Sequence, residues 1–329
     1  MKKLFNIAIQ MDPWSTINPK GDSTYSLALE AQKRGHKLFC YSPNNLSLEN
    51  NKVNAKGNFF TLNSNKTKFF SFKKITKINL NSMDVVLVRQ DPPFNMNYIT
   101  ATYLLEKLSD KVLVINNPKH IRDYPEKLSM FDFEKIIPPT LVSGNLQEIL
   151  QFNKKNKISI IKPLYGNGGE GIEKIDSNKA RNKKLVNNLL KKYKLPIIVQ
   201  KFIKEISLGD RRIILIDGEY VGSVARIPAK NSIKANFHAG GSAKKTNLVF
   251  RDKKICNLLK PFLKKKGLFF VGIDTIGNYL TEINVTSPTG IQEINQLNNI
   301  KIEELFWDKI EKKLKKNNYI IIEKLFLSK

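Results

Sequence analysis

The stretch Tyr279-Leu-Thr-Glu-Ile-Asn-Val-Thr-Ser-Pro-Thr-Gly290 decides how this chain is read. It alternates as a strand does, and residues i and i+2 of a strand share a face. Glu282 and Asn284 therefore project together, with Asp274 eight residues before Glu282. A carboxylate and a carboxamide on one face suit a hard cation such as Mg2+. Whether Asp274 joins them depends on the register of the hairpin over residues 269–284. A two-residue loop at Gly277-Asn278 would put Asp274 and Glu282 on opposite faces. A three-residue loop, Gly277-Asn278-Tyr279, pairs Asp274 with Glu282 and aligns Asn284. We expect the odd-length loop. Two bare carboxylates so close repel, and a shared metal relieves that. The alternative is a set of polar residues on an exposed sheet face.

Upstream, Lys162-Pro-Leu-Tyr-Gly-Asn-Gly-Gly-Glu-Gly-Ile172 leaves a short apolar strand. Gly166, Gly168, Gly169 and Gly171 let backbone N–H groups approach phosphate oxygens, and Lys162 can reach the same phosphates. No Gly-Lys-Ser/Thr follows, so it is not a P-loop, and the glycine spacing is not that of a Rossmann fingerprint. A flexible hairpin turn is the plainer alternative. Arg212 and Arg226 lie on two arms of a hairpin turned at Asp217-Gly218. They suit phosphate or carboxylate recognition, or a salt bridge to Asp210 or Glu219.

Around these motifs the chain reads as α/β. A strand over 4–10, a helix capped by Asp22 or Ser23 and a strand over 36–41 open an α/β domain. Val85-Val-Leu-Val88 reads as a buried parallel strand ending in Arg89-Gln-Asp-Pro-Pro-Phe94, at the end where α/β proteins place ligands. Residues 45–80 carry no clear pattern. Helices are expected over 123–133, 177–193, 251–266 and 302–315. The apolar stretch after residue 316 reads as an added strand or packing segment. The divisions are 1–121, 122–200 and 201–316, with a tail over 317–329.

The formal charge is +27. It comes mainly from lysines spread over loops and helix ends, with no arginine-rich block or basic stripe interleaved with aromatics. It reads as solvated surface rather than a nucleic-acid face. No run of eighteen apolar residues suggests a membrane span. Cys40 and Cys256 form no framework and suit reduced thiols in the cytoplasm. His36, His120 and His238 form no zinc pattern.

Taken together, the motifs resemble the bacterial glutathione synthetase family. They include Met11-Asp-Pro, Asp22-Ser23, the Arg89–Phe94 segment, Arg122-Asp123 with Glu126-Lys127, the glycine loop, Gly209-Asp-Arg-Arg212, Ala225-Arg-Ile-Pro228, Ala239-Gly-Gly241, Phe270-Val-Gly-Ile-Asp274 and the opening stretch. The resemblance implies an ATP-grasp fold with an N-terminal open α/β (Rossmann-like) domain, a central lid domain and a C-terminal catalytic domain. It implies ATP-dependent ligation of γ-glutamylcysteine and glycine through an acyl phosphate, by a cytoplasmic homotetramer with no nucleic-acid or membrane partner. On it, Lys127 and Lys162 hold ATP phosphates under a loop of Gly166, Asn167, Gly168, Gly169 and Gly171. Gln200, Lys201, Phe202 and Ile203 line the adenine pocket, with Asp210 near the nucleotide. Asp274, Glu282 and Asn284 hold Mg2+, with Mn2+ as a substitute. Arg212 and Arg226 stabilise charge during transfer. Arg89, Asp91, Ser287, Thr289 and Gly290 face the dipeptide, and Gly240 and Gly241 belong to a second lid loop over 229–243. Glu170, Phe237 and His238 depart from the family pattern. Another ATP-grasp carboxylate–amine ligase and a basic nucleic-acid-binding protein are the competing readings.

Overall fold

A computed structural model of the chain describes residues 3–64, 69–166, 168–230, 232–235 and 240–327, with side chains described up to residue 316. Among the described residues the strands form sheets of seven, four and five.

The first sheet contains β1 (Asn6–Gln10), β2 (Lys37–Tyr41), β3 (Leu46–Glu49), β4 (Lys52–Leu62), β5 (Phe70–Asn79), β6 (Val85–Val88) and β7 (Leu113–Ile115). β1, β2, β6 and β7 are parallel. All four residues of β6 are buried, as its unbroken apolar run requires. Helix α1 (Ser23–Lys33) connects β1 to β2, and the Asp22 carboxylate caps it by accepting the Tyr25 N–H at 2.7 Å. The unpatterned region 45–80 is the antiparallel extension β3–β4–β5, whose outer strand β5 is largely exposed. Helix α2 (Met96–Leu105) follows β6.

The helix expected over 123–133 does not form. Helix α3 (Pro118–Asp123) stops before Tyr124, and a 3-10 segment kinked at Phe133 occupies Ser129–Ile136. Pro125 causes the break, because it has no N–H to donate and holds the residue before it out of the helical region. The second sheet, ordered β10-β9-β11-β8, comprises β8 (Thr140–Ser143), β9 (Ser159–Pro163), β10 (Glu173–Ile175) and β11 (Ile197–Lys201). Helices α4 (Leu146–Asn156) and α5 (Lys179–Tyr193) cover it.

The third sheet runs β14-β13-β12-β15-β16. Its strands are β12 (Asp210–Ile216), β13 (Glu219–Ile227), β14 (Ser242–Lys245), β15 (Phe270–Ile276) and β16 (Tyr279–Asn284), with α6 (Phe250–Lys265) before β15. Asp217 and Gly218 make the expected two-residue turn, both at positive φ. Helices α7 (Ile291–Asn298) and α8 (Ile302–Leu327) return to the first sheet. Ile214, Ile216 and Phe270 of the third sheet share one core with Ile7, Leu27, Phe306 and Trp307. The Trp307 indole N–H donates to the Leu27 carbonyl at 2.8 Å. Asn116, just beyond β7, accepts the Phe270 N–H at 2.7 Å and donates to the Phe270 and Val285 carbonyls. The tail expected as a separate strand or packing segment is the continuation of α8, since no Gly or Pro follows Leu314 to stop the helix.

Candidate active site

The opening hairpin delivers the expected pairing by an unexpected route. Asp274 lies opposite Glu282, but Ile276 pairs with Tyr279, so the loop is the two-residue Gly277-Asn278. The extra residue comes from a β-bulge: Asp274 pairs with Glu282 and Thr275 with Leu280, which leaves Thr281 unmatched. The odd-length loop is therefore corrected, while Asp274, Glu282 and Asn284 keep one face.

Neighbouring strands continue that face. Arg212 lies opposite Asp274, and Asp210 lies opposite Arg226. Arg212 grips Asp274 with two hydrogen bonds, Nε to Oδ1 at 2.5 Å and Nη2 to Oδ2 at 2.9 Å. Arg226 grips Asp210 likewise, at 2.7 and 2.6 Å, and its Nη2 lies 2.9 Å from Asp274 Oδ2. The repulsion between the paired carboxylates is thus met by cations rather than awaiting a metal. Burial raises the Asp274 carboxyl, but Arg212 and Arg226 outweigh it and hold the group well below the usual carboxylate range. Asp210 goes the other way: burial raises it, and Arg226 with the lesser pull of Arg212, opposed by nearby Asp274, does not compensate. Asn284 Nδ2 is 3.5 Å from Asp274 Oδ2, and Glu282 Oε1 is 3.8 Å from Lys127 Nζ.

This face forms one wall of a cavity of about 560 Å³ among the three sheets. The second sheet contributes Lys162 at the end of β9 and Gln200, Lys201, Phe202 and Ile203 at the end of β11. Lys162 is buried, and its ammonium donates to Gln200 Oε1 at 3.2 Å. No carboxylate pairs with it among the described residues. Burial lowers its pKa, and the more distant Glu282, Asp274 and Asp210 offset this only in part. The glycine loop joins the antiparallel neighbours β9 and β10 and places Gly166, Gly168 and Gly169 on the cavity. Gly166 is held to glycine by packing, since a Cβ there would sit 2.5 Å from Pro163 Cγ. Lys127 Nζ donates to the Gly166 carbonyl. Glu170 pairs on the surface with Lys192 at 3.2 Å.

The first sheet supplies Arg89 and Asp91 from the loop after β6. Arg89 is buried, and it donates from Nε to Thr24 Oγ1 and from Nη2 to the Pro288 carbonyl, each at 3.1 Å. Its Nη1 has no hydrogen-bond partner among the described residues. Burial lowers this guanidinium, with Asp22 and Asp91 opposing. Ser287 and Thr289 line the same region, and Ser287 Oγ donates to the Arg89 carbonyl at 3.1 Å. Gly290 caps α7 beside Arg212 rather than lining the cavity. Gly171, Gly240 and Gly241 also stay outside the lining. Asn167 and the Phe237-His238 pair fall outside the described residues. The expected lid loop over 229–243 is partly strand, since β14 begins at Ser242 and pairs with β13.

Sequence reasoning did not single out Asp12, Thr286 or the carboxylate of Glu126 as site residues, though all three line the cavity. Glu126 accepts a hydrogen bond from Thr286 Oγ1 at 2.6 Å, and burial raises its carboxyl against the pull of Lys127. Its place next to Lys127 was the available signal. Asp274, Glu282 and Asn284 offer oxygen donors without His or Cys. Among the described residues no group of three or more His, Cys, Asp or Glu converges. Such a set fits a hard cation that completes its shell with phosphate and water.

A cavity between sheets, buried cations opposite an oxygen-donor face and a glycine loop define an ATP-dependent ligase of the ATP-grasp class. Among solved structures of this class, D-cycloserine synthetase DcsG superposes with a TM-score of 0.66 at 13% identity, covering 94% of this chain and 99% of that one. D-alanyl-alanine synthetase A from Vibrio cholerae superposes with 0.59 at 12%, covering 95% and 99%. At that identity they share the fold. Residues 5–122 match the N-terminal domain of prokaryotic glutathione synthetase, and residues 126–299 match its ATP-grasp domain. The glutathione synthetase of Mesorhizobium japonicum is 45% identical over 94% of this chain and 99% of its own length. That of Agrobacterium fabrum is 44% identical over 95% and 98%. The chain belongs to the prokaryotic glutathione synthetase family, and with that membership come ATP and a divalent cation.

Proposed function

We propose that the chain joins γ-glutamylcysteine to glycine at this cavity, with ATP and Mg2+. The dipeptide's cysteinyl carboxylate oxygen attacks the γ-phosphorus, ADP departs, and an acyl phosphate forms. The glycine nitrogen then attacks the acyl carbon, the C–O bond to phosphate breaks, and the amine loses its proton. The observation that carries this reading is Lys162, a buried ammonium at the mouth of a glycine loop with no carboxylate partner among the described residues. A cation left this way costs stability unless an anion completes it, and a polyphosphate is such an anion. Lys127 and the N–H groups of Gly166, Gly168 and Gly169 complete the phosphate cradle. Gln200 to Ile203, with Asp210, border the nucleotide.

Asp274, Glu282 and Asn284 would hold the Mg2+, or Mn2+ in its place, and the ion would supply charge neutralisation for the phosphates. Arg212 and Arg226 are held in fixed orientation by Asp274 and Asp210, so they face developing charge without reorganising. Arg89, whose Nη1 has no hydrogen-bond partner among the described residues, receives a dipeptide carboxylate, and Asp91, Ser287 and Thr289 complete that end. The loop carrying Gly240 and Gly241 shields the acyl phosphate from water. Positioning and charge stabilisation are enough for phosphoryl transfer, so no nucleophilic side chain is needed. We take the domains as 1–121, 122–200 and 201–316, the location as cytoplasmic and the assembly as a homotetramer, which sedimentation at working concentration checks.

An omission assay tests the reading. ADP release should require γ-glutamylcysteine and glycine together, with glutathione as product. Equal release with another carboxylate–amine pair, and none with this one, would assign a different ligase of the class.

A further inference from the structure

We propose that Tyr165 is a positioning residue for the ligation. Stacked on Phe94, it couples the glycine loop to the loop that carries Arg89 and Asp91, so that nucleotide and dipeptide bind cooperatively. The inference rests on the ligase reading above and adds to it a connection between the two substrate regions.

Tyr165 immediately precedes Gly166 on the second sheet's glycine loop, and Phe94 ends the Arg89–Phe94 segment of the first sheet. Their rings lie 5.8 Å apart at 28°, a stacked arrangement. Phe94 in turn packs on Tyr98 of α2, 5.2 Å away, and Tyr98 is buried in the first sheet's core. The ring pair thus runs from a fixed helix to the first residue of the phosphate loop. On the other side, the Lys127 ammonium holds the Gly166 carbonyl. Pro92, Phe94, Pro125, Leu164 and Tyr165 surround one small cleft beside the larger cavity. A phosphate drawn under the glycine loop fixes Gly166 and therefore Tyr165. The stack passes that restraint to Phe94, four residues from the peptide unit of Gln90 and five from Arg89. Restraint passed one way must be returned equally the other way, because coupling between sites is reciprocal.

Titration calorimetry on the full chain with a non-hydrolysable ATP analogue, with and without γ-glutamylcysteine, tests this. In the wild type the dipeptide should tighten the analogue. Tyr165→Ala and Phe94→Ala should each cut that tightening by roughly 2- to 12-fold, the worth of an aromatic pair. The double variant should lose no more than either single one. Tyr165→Phe, which keeps the ring, should retain the coupling. Phe94→Leu, which keeps apolar volume without the ring, should lose it while melting as the wild type does. Wild-type coupling in Tyr165→Ala, multiplying losses in the double variant, or no tightening in the wild type would each overturn the inference. Absence of γ-glutamylcysteine-dependent ADP release in the wild type removes the ligase reading and the inference with it. Normal wild-type release with unchanged coupling in Tyr165→Ala removes the inference alone.

Discussion

The two walls of the cavity treat charge in opposite ways. On the third sheet, Asp210, Arg226, Asp274 and Arg212 are tied to one another by short bidentate contacts on paired strands. On the facing side, Lys162 and Arg89 are just as buried, but among the described residues their hydrogen bonds go to neutral groups. A paired wall holds its geometry without help, and removing one member strands the rest. An unpaired wall sacrifices stability to keep cations ready for an anionic ligand. The contrast separates residues that shape the site from residues that wait for substrate.

Breaking the paired wall should have the largest effect on folding. Asp274→Ala leaves two buried guanidinium groups without their shared carboxylate, and we expect about 3–5 kcal/mol of lost stability in urea denaturation. Breaking the unpaired wall should do the reverse. Lys162→Ala should lower turnover by roughly 10²-fold or more, as the loss of one transition-state donor does. Its urea midpoint should not fall.

The pH dependence sharpens the same contrast. Folding lowers the pKa of Lys162 below its ordinary 10.5, so its burial cost is complete below the folded pKa. Between the folded pKa and 10.5 the unfolded chain binds more protons, and wild-type stability gains with rising pH. The stability advantage of Lys162→Met over the wild type should therefore be greatest below the folded pKa and shrink as the pH rises from there towards 10.5. Paired denaturation curves across that range measure it, and an advantage that grows with pH would contradict the assignment. The smallest effect belongs to the exposed pair. Glu170→Gln, which releases Lys192, should change turnover by less than about 2-fold, since exposed ion pairs contribute little.

The third-sheet wall was the more legible in sequence. Strand alternation and the Asp217-Gly218 turn put Arg212 and Arg226 on one hairpin, and the i, i+2 rule aligned Glu282 with Asn284. The pairing of Asp274 with Glu282 was anticipated, but its cause was not, because a bulge at Thr281 leaves no mark distinguishing it from a longer loop. The arginine grip on Asp274 joins residues 62 positions apart and depends on strand order, which alternation does not reveal. The long β4–β5 extension was illegible because β5 is exposed on both faces and so carries no apolar period. Pro125 was visible, and its power to end a helix was underweighted over 123–133. The Phe94–Tyr165 contact had no sequence signal, since each aromatic reads locally as loop packing.

The most direct measurement uses γ-glutamylcysteine carrying a heavy-oxygen label in its cysteinyl carboxylate, turned over with ATP and glycine. If that carboxylate attacks the γ-phosphorus opposite Lys162, one labelled oxygen should appear in the released inorganic phosphate for each glutathione formed. Phosphate free of the label, with glutathione still produced, would contradict the account.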